Sequence, residues 1–586
     1  MAKFFVTNNA SLYEKIKSII EHSPFEINAD YKLDGVYAIT VHKLQVDNQN
    51  FLNKRQDFII QTGTCVYNEN SGKVALEDAL NRFYGDVQIH REDYIGNFGC
   101  FIKKGDRMVA FNEGAGFYDI FYYNKNGEWL IGTSLIEMAR ALSDRISINK
   151  SNVLEELTRY AIFDNCTYFN DIKRLSGDQF LNITMSNLVV EALDLKVYKE
   201  NPQDYKTRAK NIAKEMKYVA GVMFKNFGQT TLCSTGGFDS RMTLAAYLSA
   251  GLQPKLTYGY GNGNLAESKM GDVEVNKKFS SRYNLEFSMS EWNDTKPLDK
   301  LWDEYIDKYG ELIYDGCEDT YKYYTNNNEK FLSFGYIGEI YREFDWSKDI
   351  PSEKMTLKDY LLKFHINEPN KNLINADEFL INHWLAKWEK LNLKYGIETE
   401  FFNKEDLIWL MFAYRSSADN HMVNLINQYK YAHYLMSDMR IVRNAYLDFN
   451  EKYNGKFMIQ ILNEAYPDIL EVPFFTHCHY MNYNPKTMMV EELQSNIIMN
   501  KIKPIIRLIL PSSVKCFINR IFKRSMDGTP YLDEVYSILH KDKNDEKLKR
   551  LVGAKVYDAI NININHVFIL RGIILCKTFD RIGIKY

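Results

Sequence analysis

Proline is scarce, 12 in 586 residues, and no Pro/Gly/Ser-rich tract marks a linker. Domain boundaries therefore have to be read from changes of hydrophobic periodicity. Cysteine is sparse and unpatterned. The eight, Cys65, Cys100, Cys166, Cys233, Cys317, Cys478, Cys516 and Cys576, include no CxxC pair, which speaks against a zinc ribbon or a disulfide framework and for a reducing, cytoplasmic setting. His477-Cys478-His479 is poor zinc spacing as well, because adjacent side chains point in different directions. Charge of one sign is missing: 73 Lys+Arg against 76 Asp+Glu leaves a net −3, without the cationic excess that phosphate-backbone binding requires, so no nucleic-acid partner is expected. Long apolar runs are missing too. The N-terminus has a three-residue apolar run instead of the roughly 7–15-residue core of a signal peptide. Val567 to Cys576 is interrupted by Arg571 and falls short of the ~20 residues of a membrane span.

What is abundant is aromatic surface, 41 Tyr, 35 Phe and 7 Trp, which can stabilise ordered cores and excludes a disordered chain. At roughly 100–200 residues per domain the length predicts about three or four units. The first ~150 residues hold short β-branched and aromatic runs, Gly35 to Val41, Phe58 to Thr62, Gly99 to Ile102 and Arg107 to Phe111, which predict a strand-dominated domain. Before residue 230 the period changes. Ala209, Ile212, Ala213, Met216, Val219, Ala220, Met223 and Phe224 recur at spacings of three and four, one apolar stripe of a long helix. Strand-like and helical segments then alternate: Thr230 to Ser234, helix from Arg241 to Ala250, Lys255 to Gly259, helix from Glu267 to Tyr283, Leu285 to Met289, helix from Leu298 to Leu312, and Lys330 to Gly335. This alternation predicts a doubly wound parallel α/β sheet. From about residue 357 helical segments dominate, and no internal repeat is present. The basic, apolar segment around Ile502 to Pro511 is expected to pack as ordinary helix rather than lie on a membrane.

Ser234-Thr235-Gly236-Gly237-Phe238-Asp239-Ser240 sits between a predicted strand and a predicted helix. Gly236 and Gly237 allow close backbone approach, amides at a helix N-terminus favour an anion, and Ser234, Thr235 and Ser240 offer hydroxyls to phosphate oxygens. Asp239 in the same turn suits Mg²⁺. No Gly-Lys-Ser/Thr ends the run, so it is not a Walker loop. Taken alone, the segment also fits a tight strand-to-helix turn that binds nothing.

In context the run resembles the SGGxDS pyrophosphate loop of the asparagine synthetase-like ATP pyrophosphatases, with Thr235 in place of the first Ser. Phe334-Gly335-Tyr336-Ile337-Gly338-Glu339 resembles that family's later strand-end motif, G-x-G-x-D-E. Thr167 to Leu181 is similar to its interdomain segment. Gly96 to Ile102, Gly116 to Tyr123 and Ile131 to Ser134 are similar to its class II amidotransferase-like N-terminal domain. The likeness covers about residues 1–475. It implies an α/β architecture in which an N-terminal α+β amidotransferase-like sandwich (1–190) precedes a doubly wound ATP pyrophosphatase domain (191–480), and residues 481–586 form a helical extension of unassigned role.

The resemblance also implies ATP and Mg²⁺. Asp239 and Glu339 would hold the metal, Cys233, Ser234, Thr235, Gly236, Gly237, Ser240 and Gly335 the phosphates, and Tyr258 and Gly259 the adenine, with a loop at 261–272 closing over them. Residue 2 is Ala2, where a working class II glutaminase has Cys, so glutamine hydrolysis is not expected. Tyr336 stands where the β-lactam synthetase branch, akin to lasso-peptide cyclases, has a base. A phenol of pKa about 10 can take an ammonium proton if a carboxylate supports it, and Asp419 and Glu405 are the candidates; a plain pocket-lining Tyr is the alternative. A late Lys that stabilises the developing charge has its counterpart in Lys486, or alternatively Lys456. The implied function is an AMP-forming ligase joining a small-molecule or peptide carboxylate to an amine. A degraded, non-catalytic scaffold is the second expectation, and ATP-dependent RNA modification has less support.

Overall fold

The computed structural model describes residues 2–47, 49–194, 204–261, 267–292, 306, 328–342, 354–366, 368–374, 378–394, 397, 401–402, 420–445, 455–476, 479–492 and 529–586, with some side chains, Glu339 among them, outside the description. The predicted helix from Leu298 to Leu312 lies almost wholly outside it.

The N-terminal strands are apolar on consecutive positions, so each has two faces to bury. Phe4, Val6, Val36, Ala38, Phe58, Ile60, Phe101, Ala110 and Ile131 meet in one core. Their neighbours Phe5, Ile39 and Leu130 turn to a second core, and Ile59, Cys100, Ile102 and Val109 to a third. The result is two stacked six-stranded antiparallel sheets. One runs Ile172–Arg174, Phe121–Lys125, Glu128–Gly132, Phe4–Thr7, Val36–Val41, Ile27–Leu33; the other Leu188–Ala192, Gln179–Ile183, Arg107–Asn112, Phe98–Lys104, Asp57–Gly63, Phe51–Lys54. Helices Ala10–Glu21 and Leu135–Ala141 cover the first sheet, and Gly72–Arg82 covers the second.

The C-terminal helices add to the first of these outer layers. Thr529–His540, Asn544–Val552 and Ile562–Ile582 share a core with Leu12, Ile16 and Leu154. Ile562–Ile582 is, among the described residues, the one helix long and apolar enough to cross a membrane, yet 61% of its most apolar window is buried inside the protein. Its Arg571 pairs with Glu156 at 3.1 Å and stacks on Tyr160. The boundary expected at residue 480 falls within a small three-stranded sheet, Phe474–Thr476, His479–Asn484 and Met489–Glu492.

The second unit is a five-stranded parallel sheet in the order Phe287–Trp292, Lys255–Gly261, Thr230–Cys233, Phe331–Phe334, Tyr431–Tyr434. In chain order this reads 3-2-1-4-5. The winding reverses between Thr230–Cys233 and Phe331–Phe334, and a crevice opens there at the carboxyl ends of the strands. Helix Phe238–Ser249 starts before the expected Arg241 and is buried all round from Ser240 to Tyr247. Helix Glu267–Tyr283 takes over the second half of the expected closing loop at 261–272.

The outer edge of Tyr431–Tyr434 is covered by the N-terminal domain. Thr64 Oγ1 accepts from Ala432 N at 2.9 Å and donates to Asn427 Oδ1 at 2.8 Å. Asn97 Oδ1 accepts from Tyr434 N at 2.8 Å. The buried Lys43 ammonium donates to Asn427 O, to Asn427 Oδ1 at 3.1 Å and to Lys430 O at 3.0 Å, and burial pulls its pKa well below the ordinary lysine value.

Replacing Asn427 by Ala removes an acceptor shared by Lys43 and Thr64 and is expected to cost about 2–4 kcal/mol, read as a lower urea midpoint. Glu113 at the same junction is pushed up to about 8 by burial, although Phe117 N, Tyr118 N and Asn97 Nδ2 donate to its Oε1. The folded carboxyl keeps its proton to about pH 8, while the unfolded one releases it near 4.3. The unfolded state thus binds fewer protons across that window, and stability falls as pH rises through it. Glu113→Gln is expected to flatten this slope and to melt above wild type at pH 9, as thermal unfolding at a series of pH values will show.

Candidate functional site

The crevice at the reversal of the parallel sheet holds about 460 Å³. It is lined by both sequence motifs, Cys233, Ser234, Thr235, Gly237, Asp239 and Ser240 from one side and Gly335 and Tyr336 from the other, with Tyr258 and Gly259 at the end of the neighbouring strand. The loop at 234–240 is tied to itself and to the sheet. Ser234 N donates to Thr257 O at 3.0 Å. Thr235 N donates to Ser240 Oγ at 3.0 Å, and the Thr235 and Ser240 hydroxyls are 3.0 Å apart. Gly237 caps a 12-residue helix with no side chain in the cap position. A Cβ added to Gly237 would have nothing nearer than Thr235 Oγ1 at 3.6 Å, so the mouth of that helix stays open to an anion.

Three contacts that the sequence reading missed set this loop. Asp272, on helix Glu267–Tyr283, accepts from Gly236 N at 2.7 Å and from Tyr258 OH at 3.2 Å, linking the phosphate-type loop to the expected adenine side. Desolvation raises its pKa against the opposing pull of the Gly236 N–H. Arg241 is fully buried and donates to Ile469 O at 2.9 Å, Val472 O at 2.6 Å and Pro473 O at 2.7 Å, its guanidinium 3.6 Å from the centre of the Phe474 ring. It thereby holds the following segment against the loop, where Phe475 N donates to Gly236 O at 2.9 Å and Thr476 reaches the cleft wall. Burial lowers the Arg241 pKa to about 9.

Arg342 is the third. It follows the turn Gly338–Tyr341, lines the cleft, and places Nε 3.4 Å from Asp239 Oδ1. With Lys269 it supplies positive charge to the lining. No motif pointed to Arg342, which lies three residues beyond Glu339, and Asp272 ends the segment expected to close over the site without having been given a role there.

The strand-end motif is built on close approach. A Cβ at Gly335 would overlap the backbone of Asp239 and Ser240, and one at Gly338 would overlap the Asp239 carboxylate. Between them Ile337 is buried at φ +70°, a backbone region unusual for a β-branched residue. Tyr336 is 37% exposed and packs its ring 4.9 Å from that of Tyr434. Glu339 follows Gly338 in the same turn.

Two expected residues do not come to the cleft in the description. Lys486 is exposed in the turn between His479–Asn484 and Met489–Glu492, its N–H bonded to Asn484 Oδ1 at 3.0 Å, and it is not among the lining residues. A short antiparallel hairpin carries the residue into solvent. Lys456 stands over the Tyr205 ring, also outside the lining. Asp419 and Glu405 lie outside the described residues, as do His477 and Cys478.

Gly338→Ala is expected to displace the Asp239 carboxylate and to cost about 1–3 kcal/mol of stability through overpacking, with little loss of secondary structure. Urea unfolding beside circular dichroism of the folded protein checks it.

No family model matches the chain, and no curated protein sequence does. Among solved structures, the allosteric regulatory enzyme of purine biosynthesis aligns at 7% identity over 50% of this chain and 81% of its own, with a TM-score of 0.23. Glutamine phosphoribosylpyrophosphate amidotransferase from B. subtilis, complexed with ADP and GMP, aligns at 10% identity over 58% and 93%, with a TM-score of 0.24. Scores this low assign neither fold nor function to this chain.

Proposed function

We propose that the chain is an ATP-dependent, AMP-forming ligase that joins a carboxylate to an amine without hydrolysing glutamine. The observation that carries this reading is the meeting of the loop 234–240 and the strand-end turn at 335–341 in one cleft, at the reversal point of a parallel sheet, where such sheets bind ligands.

The residues fit a nucleotide. Gly237 leaves open space at a helix N-terminus, and hydroxyls of Ser234, Thr235 and Ser240 line the same wall. They fit a cation as well, because Asp239 already has one beside it, the Arg342 guanidinium. Asp239 and Glu339 would hold Mg²⁺, whose chemistry is to neutralise phosphate charge. The open space at Gly237, at the helix N-terminus, and the loop hydroxyls would receive and orient the phosphates. Tyr258, held by Asp272, would form the wall of the base site. In the proposed reaction an oxygen of the substrate carboxylate attacks the α-phosphorus as pyrophosphate leaves; the amine then attacks the acyl carbon and AMP departs. Tyr336, partly exposed in the cleft, would relay the proton the amine loses, receiving it on the phenol oxygen as its own hydroxyl proton passes to a supporting carboxylate. A peptide, an amino-acid-derived metabolite or a sugar acid each meets the carboxylate requirement.

Glutamine hydrolysis is left out because Ala2 has no thiol and is buried and tied down by its backbone, its N–H donated to Val41 O at 3.2 Å and its carbonyl accepting from Tyr118 OH. The same observation favours a second reading, a scaffold that keeps the architecture without chemistry.

Mg·ATP at 100 times its Kd is expected to stabilise the protein by about 2.7 kcal/mol, seen as a raised melting temperature, and Asp239→Ala is expected to abolish the shift. With the correct acid, pyrophosphate and AMP should appear together. Release of ADP and phosphate contradicts adenylation, and a wild-type protein whose melting ignores Mg·ATP favours the scaffold.

A further inference from the structure

We infer that Arg342 is a cation latch of the cleft, paired with Asp239 when the cleft is empty and transferred to the pyrophosphate portion of the nucleotide when a metal takes Asp239. This rests on the nucleotide reading of the cleft and goes beyond it by giving a role to a residue that no motif marks.

Arg342 Nε and Asp239 Oδ1 are 3.4 Å apart, and both residues line the cleft with the loop hydroxyls of Thr235 and Ser240. A carboxylate that receives a divalent cation cannot keep a guanidinium at that distance without strong repulsion between the two positive groups, so occupation by metal displaces Arg342. The displaced side chain has a fixed root. Its neighbour Tyr341 is fully buried and donates from its OH to Met436 O at 2.7 Å, and the turn Gly338–Tyr341 presses against Asp239 so closely that Gly338 has no room for a Cβ. The backbone therefore stays in place while the guanidinium moves within the cleft. Anionic oxygens brought to the open helix mouth at Gly237 would lie against the same wall, and a planar guanidinium binds phosphate through two parallel N–H donors. Of the two basic residues in the lining, Lys269 and Arg342, Arg342 is the one beside Asp239 and so the one that metal binding there would release toward the departing pyrophosphate.

The test uses the full chain and three probes, Mg²⁺ alone, Mg·pyrophosphate and Mg·ATP, each titrated by calorimetry into wild type, Arg342→Gln and Arg342→Lys. The latch predicts effects of opposite sign. Arg342→Gln should bind Mg²⁺ severalfold more tightly, because the competing cation is gone, and Mg·pyrophosphate at least tenfold more weakly. Arg342→Lys, which keeps the charge without the fork, should recover part of the pyrophosphate affinity. A purely structural role moves both affinities down together and overturns the inference, as does unchanged pyrophosphate binding in Arg342→Gln while wild type binds well. Wild type that binds none of the nucleotide probes overturns the nucleotide reading and the latch with it.

Discussion

A parallel sheet whose outermost strand is left bare presents a row of unpaired N–H and C=O groups, and covering that row is the constraint on which the rest of this molecule depends. Tyr431–Tyr434 is that strand. The N-terminal domain covers it with side chains instead of another strand, Thr64 on Ala432 N and Asn97 on Tyr434 N, and Lys43 closes the end of the preceding helix by donating to Asn427 and Lys430 carbonyls. Such a joint is costly to open, since every group in it would be left buried or newly solvated without its partner. The N-terminal domain thereby completes the sheet next to the cleft.

From that joint a line of contacts runs to the cleft. Asn97 fixes the Tyr434 backbone, the Tyr434 ring packs at 5.6 Å against Phe117 of the N-terminal domain, and its other neighbours are Phe334 and Tyr336. The wall that carries Tyr336 is therefore set by both domains at once. Opposite it, Arg241 performs the equivalent task by buried hydrogen bonds to the segment at 469–473, which brings Phe475 against Gly236 and Gly271. The loop at 234–240 thus lies between two walls that are each held from behind, a preorganised arrangement in which little ordering remains for a ligand to impose.

Much of this was legible from residue order. The β-branched and aromatic runs Gly35 to Val41 and Phe58 to Thr62 gave a strand-dominated N-terminal domain, the alternation after residue 230 gave a parallel sheet, and Ser234 to Ser240 and Gly335 to Glu339 fell at strand ends that the sheet brings together. The helix at Glu267–Tyr283 was bounded correctly. What stayed hidden are long-range partners. Asp272 is an ordinary helical acid until the fold sets it on Gly236, and Arg342 is one charge among 73 until a 3.4 Å contact ties it to Asp239. Lys486 shows the same limit. Counting residues past a motif assumes that the chain continues along the cleft, whereas His479–Asn484 pairs with Met489–Glu492, which buries Val490, and the turn between those two strands projects into water.

Ile337 lies between the two close-approach glycines at a φ of +70°, a conformation that glycine adopts freely and a β-branched residue rarely does. Burial of the Ile337 side chain, beside Ile340 and Tyr341 in the core of the parallel-sheet domain, offsets the conformational cost. A turn held in an unfavourable conformation by its surroundings keeps Gly338 against Asp239 and Arg342 on the cleft side. Relaxation of that turn to negative φ would re-aim both. The surroundings over-determine the turn from two directions, through Tyr341 anchored at Met436 and through Phe334 in the sheet. That is the physical reason an isoleucine can hold this turn while one carboxylate and one guanidinium face the same cleft.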